Sequence, residues 1–185
     1  NGSDNEVNAF TIAISNDDAT GSSAANLNTI NDATSVAVDA TQITSIASSP
    51  ITAINTLLAA AAATPAEITN LSNLTELVIS DTGTVSANTI NTIVTNADAV
   101  NGEGTTAVNV ASASGVTGTE THFDTLLTNE GNNLVTNLTT QALSVTGGTI
   151  TASKANTISA TTTGVTTAEI TNTQRLTDLV GLNFT

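Results

Sequence analysis

The chain has 185 residues, a net charge of −14 and only two bases, Lys154 and Arg175. Thr, Ala and Asn dominate it, three residues are aromatic and none is Cys. These numbers exclude a disulfide framework and thiol chemistry, and they leave no cations to meet the phosphates of a nucleic acid or of an anionic bilayer.

Apolar residues make up 39% of the chain, enough for a core built from Ile, Leu, Val and Ala. Residues 1–9 read as a polar lead-in. Strand-like runs then recur: "FTIAIS" (Phe10 to Ser15), "SVAVDA" (Ser35 to Ala40), "ELVISD" (Glu76 to Asp81), "TAVNVA" (Thr106 to Ala111) and "ALSV" (Ala142 to Val145). Each is short, β-branched and often alternating. Apolar residues three or four apart, such as Leu27/Ile30, Ile54/Leu57/Leu58 and Ile90/Ile93, predict short helices between them. "ITAINTLLAAAAA" (Ile51 to Ala63) is too short to span a bilayer.

Like strands return from Thr11 to Leu77 and from Leu77 to Leu143, about 66 residues each time. The reading is therefore three units: 10–75, 76–141 and a shortened 142–185. In the third, "KANTISATTTG" passes to "TTAEITN" without an evident second strand.

One stretch comes back almost verbatim. "TPAEITNLSNLTELV" (Thr64 to Val78) returns as "TTAEITNTQRLTDLV" (Thr166 to Val180). Thr64, Pro65 and Glu67 predict a helix start, as do Thr166 and Glu169. Leu71, Leu74, Leu77 and Ile79 have the spacing of a stacked coil whose strand follows a turn. A coil of 20–30 residues buries its apolar face only against a neighbouring coil.

Catalysis finds few candidates. His122, the single His, stands in "TETHFDTLL" and reads as a capping or surface residue. Asp17 and Asp18 are adjacent and do not face one another across a cleft. Asn16, Asp17, Asp18 and Asp81 follow strand-like runs; their oxygens suit calcium, but Asp, Asn and Gly after a strand are turn formers first. Lys154 could form an isopeptide bond, but one Lys in such a chain reads as an ordinary surface residue. No catalytic, cofactor-binding or metal residue is assigned, and calcium is the one cofactor the acids would suit.

"SDTGTVSANTINTI" (Ser80 to Ile93) and "INDATSVAVDATQITSI" (Ile30 to Ile46) resemble the Asp-Thr-Gly, Leu-Asn-Thr-Ile and Val-Asp-Ala repeats of giant cell-surface proteins of marine cyanobacteria and other marine bacteria. The resemblance implies an extracellular structural role without catalytic residues. The expected fold is an α/β, solenoid-like stack of short strands and short helices, with an all-β sandwich as the competing architecture. The expected function is a structural extracellular protein that assembles with copies of itself into a filament, sheath or surface layer. It would bind no nucleic acid and insert into no membrane. An adhesin or binding module is the alternative function, and a hydrolase the third.

Overall fold

The computed structural model describes residues 9–14, 22–102 and 104–171. In chain order come α1 (Ala24–Asp32), β1 (Val38–Asp39), β2 (Ser45–Ser49), α2 (Ile51–Ala62), β3 (Ile68–Thr69), β4 (Glu76–Ile79) and β5 (Thr84–Ser86). They are followed by α3 (Ala87–Asn101), β6 (Ala107–Asn109), β7 (Gly115–Gly118), α4 (Glu120–Gly131), β8 (Val135–Thr136), β9 (Ala142–Ile150), α5 (Ala152–Ser159) and β10 (Thr166–Ile170). The fold is mixed α/β with parallel sheets. The all-β sandwich is thereby corrected. Sandwiches are built from antiparallel strands, whereas these strands pair in parallel and alternate with helices. No helix among the described residues is long and apolar enough to cross a membrane.

The chain forms two compact units: residues 1–80 with 95–107, and residues 81–94 with 108–185. In the first, β1 pairs with β3, β2 pairs with β4, and single bridges join Ala13 to Asp39 and Ser23 to Ala47. In the second, β10, β9, β7 and β5 lie side by side in that order, and β6 pairs with β8. Side chains bond across these steps. Thr69 Oγ1 donates to the Val38 carbonyl at 3.2 Å and Thr75 Oγ1 to the Thr44 carbonyl at 2.9 Å, each across 31 residues.

The core of each unit is aliphatic. In the first, Leu71, Leu74, Leu77 and Ile79 are all buried, as their spacing predicts. Each such side chain contributes roughly 1.5–3 kcal/mol when fully removed from water. In the second, Phe123 lies fully buried with Leu126, Val116 and Leu143.

The predicted helix start at Thr64–Glu67 is not there. The Glu67 N–H bonds back to the Ala60 carbonyl at 3.0 Å, and its carbonyl accepts the Val38 N–H at 2.8 Å. With its backbone committed in this way, the segment runs on as β3. Asn70 then turns the chain in the left-handed region (φ 62°), and Leu71–Asn73 makes a single 3-10 turn. The returning copy behaves likewise. Thr166–Ile170 is β10, not a helix, a strand that the sequence conceals; residues 172–180 of that copy lie outside the described residues. "FTIAIS" also differs: residues 12–14 make only the Ala13–Asp39 bridge, and Ser15 lies outside the described residues.

Paired corners hold the turns. Asp39 accepts hydrogen bonds from Thr41 Oγ1, the Thr41 N–H at 3.0 Å and Asn70 Nδ2 at 3.0 Å. Asn109 does the same with the Ala111 N–H at 3.0 Å. These bonds, the Thr41 hydroxyl first, hold the Asp39 carboxyl below its ordinary value of 3.8. A carboxyl depressed in the folded state stabilises above its unfolded value and loses that stabilisation as pH falls through its folded value. Thermal melts should therefore fall off below about pH 4, and more shallowly in Asp39→Asn than in the parent chain.

Candidate functional site

The five helices among the described residues carry one module: an apolar residue, Asn or Asp, Thr, and a second apolar residue. It reads Leu27–Ile30 in α1, Ile54–Leu57 in α2, Ile90–Ile93 in α3, Phe123–Leu126 in α4 and Ala155–Ile158 in α5. The first residue is buried in all five, and the fourth in all but α1, where Ile30 is half-buried. Positions three apart on a helix share a face, so the module seats each helix on the sheet side.

The Thr of each module turns its hydroxyl back on its own helix. Thr29, Thr56, Thr92, Thr125 and Thr157 donate to the carbonyls of Ala25, Thr52, Asn88, Thr121 and Ser153, four residues earlier, at 2.9–3.3 Å. The hydroxyl thus satisfies itself locally on an exposed face.

The Asn reaches the neighbouring helix. Asn28 Nδ2 in α1 donates to the Ala53 carbonyl in α2 at 3.0 Å. Asn91 Nδ2 in α3 donates to the His122 carbonyl in α4 at 2.9 Å. Ala53 and His122 occupy the same place, one residue before the module of the receiving helix. Asn91 is nearly buried, and its Oδ1 accepts from Asn129 Nδ2 at 3.2 Å. Asn28 Oδ1 is buried without such a partner.

The junction of α4 and α5 breaks the rule and repairs it. Asp124 stands where the other helices have Asn, and a carboxylate cannot donate. Lys154 occupies the place equivalent to Ala53 and His122, and its ammonium pairs with Asp124. Lys154, which the sequence supports only poorly as an isopeptide residue, has Asp124 as an ionic partner. The pair is partly exposed, 22% for Lys154 and 51% for Asp124, so it contributes at most about 1 kcal/mol. Lys154→Ala should cost up to that amount, while Asp124→Asn should recover an amide clasp onto the residue-154 carbonyl. In urea titrations, the parent should lose part of its stability on adding salt, and Asp124→Asn should not.

The other chemical candidates are placed as follows. His122 is the third residue of α4. Its N–H donates to Thr119 Oγ1 at 3.3 Å, and its Nδ1 accepts the Thr119 N–H at 3.4 Å. It closes a capping box, as the sequence suggests. Asn16, Asp17 and Asp18 lie outside the described residues. Asp81 is half-buried, and no cluster of three or more His, Cys, Asp or Glu side chains occurs among the described residues. "TGGT" (Thr146 to Thr149) lies within β9, with positive φ at Gly147 and Gly148.

Concavities occur among the described residues. One of about 460 Å³ in the first unit is lined by residues 31, 32, 34–37 and 65–67; its acids are Asp32 and Glu67. Asn31 Nδ2 donates to Glu67 at 3.2 Å across its rim. A smaller one of about 210 Å³ in the second unit lies between Thr119–Thr121 and residues 146–150.

The apolar spacings predict each helix separately and do not relate one helix to the next, so the clasp is not evident from them. The signal available was the Asn-Thr or Asp-Thr pair between apolar residues, five times in one chain. Comparison with protein-family models, with curated proteins and with solved structures found no match to this chain.

Proposed function

We propose that this chain is a structural protein: a solenoid-like α/β stack whose work is to supply length and surface outside the cell. One observation carries the reading. The same helix module recurs five times, and at two junctions it is fastened to the next helix through a backbone carbonyl. A repeated part that grips its neighbour by the main chain suits a column of coils, each burying the apolar face of the next. The likeness to repeats of marine bacterial surface proteins supports the extracellular setting, and the acidic, Thr/Asn-rich surface suits saline water.

In this reading the chain catalyses nothing, holds no required cofactor and takes copies of itself as partners, forming a filament, sheath or layer. Sedimentation velocity over a concentration series, in high salt with and without calcium, tests it together with electron microscopy of the same samples. Elongated polymers with an axial repeat are the expected result. A chain that stays monomeric at every concentration would overturn the reading.

A further inference from the structure

The described residues expose two large apolar side chains, Phe10 at 64% and Val165 at 57%. Both lie at sheet edges. Phe10 leads into the 12–14 rung, which outflanks β1 through the Ala13–Asp39 bridge. Val165 immediately precedes β10, the outer strand of its sheet. Inner strands of that sheet bury Val116 and Leu143 fully, whereas Ala168 and Ile170 of β10 are only half-covered.

Among the described residues, no strand pairs with the outer side of either edge. The Ile12 carbonyl and the Ile14 N–H bond inward with Asp39, both at 2.9 Å. In a parallel ladder the intervening residue, Ala13, directs its own N–H and carbonyl to the opposite side. Monomeric proteins guard such edges with charges, Pro or bulges. Phe10–Ile14 has no charge and no Pro, and Val165–Ile170 has a single charge, Glu169.

Resting on the self-assembly reading above, we infer that these two edges join head to tail: the Val165–Ile170 edge of one copy receives the Phe10–Ile14 edge of the next. Two arguments select a second copy in this arrangement. Each edge has the Thr/Ile/Ala chemistry and the neutral backbone that the chain's own strands use to pair with one another. Every described strand pairing is also parallel. A strand edge meeting its own copy across a two-fold axis pairs antiparallel, so continued parallel pairing requires two different edges. Such a heterologous contact gives a ring where its rotation closes and a fibre where it does not, and the filament reading corresponds to the second.

The test uses one substitution at each edge, Phe10→Asp and Val165→Asp, so that the two altered edges repel one another. Both side chains are mostly exposed, so folding should survive, as circular dichroism would verify. Sedimentation in high salt should show polymers for the parent and monomer for either variant alone. An equimolar mixture should give dimers and nothing larger, because each variant keeps one working edge of the matching kind. Self-association of either variant alone, or a mixture that stays monomeric, would overturn the head-to-tail contact. If the variants polymerise like the parent, the interface lies elsewhere and the assembly reading stands; if the parent itself never polymerises, both fall together.

Discussion

Truncating Phe123 to Ala is expected to destabilise the second unit by about 3–5 kcal/mol. Phe123 is fully buried and is the largest of the buried side chains. It opens the α4 module, so its ring stands where the other helices place Leu, Ile or Ala. A close-packed core relaxes only partly around a deleted ring, so a cavity is left behind. A domain is stable by only about 5–15 kcal/mol, so the loss should appear as a large drop in the urea midpoint. Phe123→Leu should recover most of it, since Leu is what α1 uses at this place.

Gly115→Val should have the next largest effect, about 1–3 kcal/mol or more. Gly115 begins β7 and pairs with Thr84 on one side and Ala142 on the other. A Cβ at this position would stand 2.8 Å from the Ala142 carbonyl oxygen and 3.4 Å from its Cβ. The obstacle is the backbone of the adjacent strand, which cannot rotate away as a side chain can. β9 would have to shift, and β10 is paired to it at Leu143. Chemical denaturation of Gly115→Ala and Gly115→Val should show a graded loss, with Val the worse. Equal stability of all three chains would mean that the strands are spaced more widely than described.

The same sheet explains which elements the sequence disclosed. Helices α1, α2 and α3 were legible because Leu27, Ile54 and Ile90 recur with their partners at helical spacing, and α4 and α5 from "FDTLL" and "KANTI". Strand β4, "ELVI", was legible from its β-branched alternation. Strands β2, β5 and β7 were not, being "SIASS", "TVS" and "GVTG", with little but one or two apolar residues each to mark them. They are strands because a parallel neighbour about one coil away supplies the hydrogen bonds, which local propensity cannot reveal. The cap read at Thr64, Pro65 and Glu67 failed for the same reason: its residues suit a helix start, yet Val38 and Ala60 claim the Glu67 backbone. The clasp was the least legible feature. Asn28 and Ala53, or Asp124 and Lys154, become related only when two helices lie side by side.

That clasp has a consequence for how such a chain can change. At α1–α2 and α3–α4 the Asn grips a carbonyl, a group every amino acid possesses. The gripped residue is Ala in one case and His in the other, so the receiving helix is free to vary there. A substitution at the gripped position therefore leaves the acceptor in place. The junction between Asp124 and Lys154 is different, because its contact depends on the identity of both side chains. There, a change on one helix removes the contact unless the other changes with it.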